Sequence, residues 1–191
     1  YAMMCYAKGV AHAALGNVVA SAAARDEFME ACKRVPDTRR IHNNLCVDLL
    51  GVAQSMLDGE LAYRQGQFED AFACLRESVR RADSLPFDEP WGWMQPPRHA
   101  LGALLLEQNR HDEAEAVYRA DLGLDDSLPR ARQFPDNVWS LHGLHECLER
   151  RGAVAEAQYI KQRLTLAKAL ADVPVTRSCF CRQETNCCGG A

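Results

Sequence analysis

Apolar residues recur along this chain at helical intervals. Between Arg98 and Leu122, Leu101, Leu104 and Leu105 fall at i, i+3 and i+4, on one face of a 3.6-residue period. Ala114, Val117 and Tyr118 repeat that spacing, and Asp112, Glu113 and Glu115 place negative charge near the positive N-terminal end of a second helix. Gln108-Asn109-Arg110 turns the chain between them. Such a hairpin has an apolar side on each helix and cannot cover both alone. It needs neighbours of its own kind.

The same alternation predicts four hairpins, at about 1–33, 44–82, 97–122 and 138–172. Gly16-Asn17 turns the first, and Val35-Pro36-Asp37 breaks it off. Asn43-Asn44 is expected to cap a long helix through Tyr63, followed by a turn at Gln65-Gly66-Gln67 and a return helix from Phe68 with Ala71, Phe72 and Leu75 inward. Asp136 or Asn137 caps the helix from Val138 to Arg151, Gly152 turns it, and Ala153 to Asp172 closes the last pair. Asp83 to Pro97 holds four prolines, which forbid continuous helix, yet Phe87, Trp91, Trp93 and Met94 are too apolar for a free linker. An ordered loop packed on the scaffold is expected, with a second long connection from Gly123 to Pro135. After Pro174 periodicity stops, so 1–175 reads as the helical domain and 176–191 as a mobile Cys-rich tail. A variant has Cys179-Phe180-Cys181 packing back on the final hairpin, since four residues from Val175 reach at most about 14 Å.

Small residues repeat at fixed intervals. Gly59, Gly66 and Ala71 are seven and five residues apart, as are Gly102, Asn109 and Ala114, then His145, Gly152 and Ala157, and Gly9, Gly16 and Ser21. Small side chains at these points let two helices approach closely. The pattern resembles the tetratricopeptide repeat (TPR) family, W-x2-L-G-x2-Y, A-x3-F, P. The central hairpin matches at Leu101-Gly102, Leu105, Ala114 and Tyr118, with Arg98 where Trp is usual. The second keeps Gly59, Ala62, Ala71 and Leu75, and the fourth keeps Leu141, Leu144, Leu148 and Ala157. The pitch departs from the family: successive units lie 50, 43 and 43 residues apart, against ~34 for a standard repeat. The fold expected is all-α, a TPR-like solenoid of about four stacked helix pairs with long Pro-rich loops.

The resemblance implies a scaffold that binds a protein or peptide in a concave groove lined by the first helix of each pair. Met56, His99 and His142 are equivalent positions 43 residues apart, and Glu60, Ala103 and Glu146 form another set. With Tyr63, Trp93 and Trp139 they make the expected groove: Met56, Glu60, Tyr63, Trp93, His99, Trp139, His142 and Glu146. The rival reading is a metal-binding protein or metal-dependent enzyme, with His99, His142 and Glu146, aided by Cys179 and Cys181, holding zinc or another divalent ion. Cys179-x-Cys181 and Cys187-Cys188 lack the paired C-x2-C spacing of a structural zinc site. His145-Glu146 begins an H-E-x-x-H motif, but Glu149 stands where its second histidine belongs. With no phosphate loop, nucleophile elbow or paired-carboxylate motif in sight, no catalytic residue is assigned.

Composition narrows the partners. The 191 residues are 48% apolar and 25% charged, with a net charge of −4. That is an ordinary globular composition with no basic footprint for nucleic acid, and no apolar run approaches the ~20 residues that span a bilayer. An odd count of nine cysteines and the lack of any Asn-x-Ser/Thr sequon point to a reducing, cytoplasmic setting. Tyr1 already lies in helical sequence, so a longer parent chain is expected. The sequence leaves the oligomeric state open.

Overall fold

A computed structural model describes residues 1–182. Its elements are α1 (Ala2–Ala14), α2 (Val18–Cys32), β1 (Arg40–Ile41), β2 (Asn44–Leu45), α3 (Cys46–Arg64), α4 (Phe68–Ser84), α5 (Pro97–Glu107), α6 (His111–Leu122), α7 (Val138–Arg151) and α8 (Val154–Ala169), with one 3-10 turn at Arg130–Arg132. The fold is all-α. Among the described residues the one departure is a two-strand antiparallel ribbon pairing Arg40 with Leu45 and Ile41 with Asn44.

One hairpin turn is built four times. Gly16, Gly66, Asn109 and Gly152 all take positive φ, between 59° and 77°. Each donates its N–H to the carbonyl three residues back, at Ala13, Tyr63, Leu106 and Glu149. The next residue reaches five back, at His12, Ala62, Leu105 and Leu148. That double closure ends one helix and aims the next, and glycine enters the left-handed region without steric cost. The fifth residue after each turn, Ser21, Ala71, Ala114 or Ala157, is buried. Its small side chain sits where the two helices meet.

The chain divides into two compact units, residues 1–101 and 102 onward. In the first unit α1 pairs with α2, α3 pairs with α4, and both α1 and α2 pack on α3. A Cβ on Gly9 would lie 2.8 Å from Leu57 of α3, and Ser21 Oγ donates to the Gly9 carbonyl at 2.9 Å. Phe28, Leu57, Phe72 and Leu75 fill the core. Arg25 of α2 pairs with Asp58 of α3 at 2.5 Å.

Asn43 and Asn44 do not cap α3: that helix starts at Cys46 with no side-chain cap bond at Leu45. They pin the Pro-rich loop instead. Asn43 N–H and Asn44 Nδ2 donate to Asp88 Oδ2 at 3.1 and 3.0 Å, and Asn43 Nδ2 donates to the Phe87 carbonyl at 3.0 Å. Trp93 of the same loop packs with Leu49, Val52, Ala82 and Leu85, its ring 5.6 Å edge-on to Tyr6. The buried Asn44–Asp88 contact and an indole make this loop part of the first unit's core, as its apolar content required.

In the second unit α7 lies between α6 and α8. Leu104, Leu105, Leu106, Tyr118, Leu141, Leu144 and Leu148 are fully buried. Glu115 and Arg119 of α6 form an ion-pair cluster with Arg151 of α7 and Glu156 of α8.

Candidate partner-binding surface

The start of α7 is set by a polar knot. Asn137 Oδ1 accepts from Ser140 N–H at 2.9 Å, a true N-cap, while Asn137 Nδ2 and Ser140 Oγ both donate to Asp121 Oδ2 at 2.9 and 2.6 Å. Asp121 and Ser140 are wholly buried, so the knot fixes where α7 begins and where its side chains point. Trp139, His142 and Glu146 follow at i, i+3 and i+7, a single face of the helix.

That face is covered by the chain's own residues. Within residues 175–182 the chain follows the variant in which Cys179-Phe180-Cys181 packs back, rather than a mobile tail from 176: it folds into a tight turn in which Arg182 N–H donates to the Cys179 carbonyl at 3.3 Å. Phe180 meets Trp139 edge-on at 5.0 Å between ring centroids. Arg182 grips Glu146 with two bonds, Nη1 to Oε2 at 2.7 Å and Nη2 to Oε1 at 3.0 Å. Val175, Ser178 and Cys179 are buried. Arg177 braces the turn from within, donating to the Arg182 carbonyl at 2.6 Å with its guanidinium 5.9 Å from the Phe180 ring.

The deepest anchor comes from α6. Tyr118 lies against Gly102 of α5 and Gly143 of α7: a Cβ on Gly102 would lie 2.5 Å from the ring, and one on Gly143 would overlap it outright. Its hydroxyl passes this gap and donates to Ser178 Oγ at 2.7 Å. Complete burial holds the phenol well above its ordinary pKa, so it stays a neutral donor.

Electrostatics favour a charged Glu146. Burial alone would raise its pKa, but the hydrogen bonds and charge of Arg182, with help from Arg150 and His142, lower it overall. Arg150 Nη2 is also bonded to Glu146 Oε1, at 2.5 Å. His142, between Trp139 and Glu146, is pushed down by burial and by Lys168, against the opposing pull of Glu146, so it is held neutral.

The remaining groove residues lie in the first unit and are closed in. Met56, Glu60, Tyr63 and His99 are buried, none more than 9% exposed. Tyr63 is sandwiched edge-on by Phe68 and Phe72 at 5.1 and 6.1 Å, and Glu60 has the Arg64 guanidinium 3.8 Å away. Trp93 forms part of the wall of a largely apolar hollow of about 530 Å³ that is also lined by Ile41, Leu49, Leu50, Arg34 and Arg39. These four buried positions are core rather than open lining: equivalence along the helix places them inward, and burial then decides their role.

Among the described residues no group of three or more His, Cys, Asp or Glu side chains is placed to hold a metal ion. His99, His142, Glu146, Cys179 and Cys181 are therefore not gathered into one, and Glu146 is engaged by arginines instead. Cys179 Sγ accepts from Cys181 N–H at 3.2 Å, and the tail pair Cys187-Cys188 lies outside the described residues. Among those residues no helix is long and apolar enough to cross a membrane. Compared with models of known families and with curated proteins, the chain finds no match. Sequence reasoning had Phe180 packing back on the final hairpin as a variant, but missed Ser178, Arg182 and Tyr118 as parts of this surface. The available signal was two glycines, Gly102 and Gly143, one on each side of a lone tyrosine in the chain order.

Proposed function

We propose that this chain is a TPR-like helical-hairpin scaffold whose α7 face binds a short segment of a protein partner. The observation carrying this is that Trp139 and Glu146 already grip a turn of polypeptide through one aromatic contact and one bidentate ion pair. Aromatic rings and arginine–carboxylate pairs concentrate binding energy at protein interfaces. The repeated turn and the packing of α7 between α6 and α8 supply the frame that keeps such a face preorganised. The test is panning a displayed peptide library against the chain and against its Arg182→Glu variant. Enrichment that disappears in Trp139→Ala with Glu146→Gln supports the reading. Failure of both forms to enrich any peptide removes it.

A further inference from the structure

We infer that the turn from Val175 to Arg182 is an internal occupant of the α7 face, displaced by a partner segment of the same chemistry: a hydroxyl for Tyr118, an aromatic ring for Trp139 and a guanidinium for Glu146. This rests on the partner-binding reading above and adds who competes and what the partner must carry. Val175, Ser178 and Cys179 are buried, and Ser178 carries the one buried polar anchor, whereas the contacts to Trp139 and Glu146 are shallow. Phe180 is 58% exposed although it touches Trp139. Arg182 and Glu146 each keep about a fifth of their side chain in solvent (20% and 21%). When Arg182 leaves, Arg150 remains at 2.5 Å, so the Glu146 carboxylate never stands without a counter-charge.

The buried anchor sets the partner's requirement. Tyr118 is 0% exposed and its hydroxyl donates to Ser178. An occupant without a hydroxyl or carbonyl there would leave a buried donor unsatisfied, which discriminates strongly. Partners are thus selected for a polar acceptor with an aromatic two residues on and an arginine two beyond that, the order of Ser178, Phe180 and Arg182. Only a short connector joins α8, ending at Ala169, to Val175. Such a tether holds the occupant at about millimolar effective concentration, so a segment arriving from outside binds with its affinity reduced by the fraction of faces left open.

The experiment uses the full chain and a fluorescent peptide spanning residues 174–182, with serine in place of both cysteines to prevent disulfide exchange. Anisotropy titrations compare the unaltered chain, the double variant Phe180→Ala with Arg182→Ala, and the single variant Arg182→Glu, each shown folded by its thermal transition. The expected result is binding tighter by about ten-fold or more in both tail variants than in the unaltered chain. It should be lost when Trp139→Ala is added and absent for a peptide with Ser178 replaced by valine. Equal affinity in all chains, or binding indifferent to Trp139→Ala, overturns the inference. So does a dimer of the unaltered chain that dissociates in the tail variants, since the occupant would then be a second copy. If library peptides bind equally with and without tail substitutions, only the competition fails. If no form binds any peptide, the partner-binding reading itself has failed.

Discussion

Two irregular segments pack onto helical hairpins here, and they are held by different physics. In the first unit the Pro-rich loop after α4 is joined to a helix at both ends, and Asp88, 7% exposed, takes bonds from Asn43 and Asn44. In the second, the turn after α8 buries Val175, Ser178 and Cys179 but meets the Trp139 and Glu146 side of α7 through Phe180 and Arg182, both reached by solvent. Burial makes the first contact costly to break, because stranded donors lose water as well as partners. Exposure makes the Phe180 and Arg182 contacts of the second cheap to exchange. A loop fastened like the first is structure; a turn fastened like the second can be a ligand.

The largest effect should come from the first segment. Asp88→Ala leaves the buried Asn44 amide short of an acceptor and removes one from Asn43, and should cost up to about 3 kcal/mol, read as a lower urea midpoint. Arg182→Ala should barely move that midpoint; an equal loss from both would erase the distinction. Next is Gly143→Ala, whose new methyl meets the Tyr118 ring. Overpacking of this kind costs about 1–3 kcal/mol, and withdrawal of the hydroxyl should speed amide exchange at Ser178 while Asn44 is unaffected. Trp139→Ala, which removes one edge-on aromatic contact, should weaken the docked turn by about 1 kcal/mol, seen as faster proteolysis after Arg177 at unchanged helicity.

The smallest effect is that of pH. The Glu146 carboxyl is held below its ordinary 4.5, so its contribution is complete above that value and disappears as pH falls through the lower, folded-state pKa. His142, also lowered, from 6.5, contributes in the same sense: stability is full while the ring is neutral and declines on acidification below its unfolded value. Turn docking, followed by Phe180 resonances, should therefore be flat near neutrality and decline only in acid. Glu146→Gln should remove the more acidic step, and a loss of docking on raising the pH would reverse the assignment.

Much of the fold was legible because its determinants are local. The seven-and-five spacing named Gly16, Gly66, Asn109 and Gly152, and these residues make the four identical turns. Helix α7 spans Val138–Arg151 as the pattern predicts, capped by Asn137. The asparagines before α3 were misread because capping and loop-pinning use the same side chains, and the partner that decides, Asp88, lies 45 residues from Asn43. The groove set was half legible. Periodicity places Met56, Glu60, Tyr63 and His99 on the inner side of their helices but carries no information on what covers that side.

The alternation of apolar and polar residues, with small residues at fixed offsets, determined the hairpins, their turns and the loop that had to pack. These depend on backbone geometry and neighbours within one or two turns of helix. Which side chains became core and which a surface was decided only when distant segments met: a tyrosine passing between two glycines, and a terminal turn settling where its serine, phenylalanine and arginine each found a partner. Contacts between residues so far apart along the chain leave no period behind, because each depends on a separation in space that spacing in sequence does not encode.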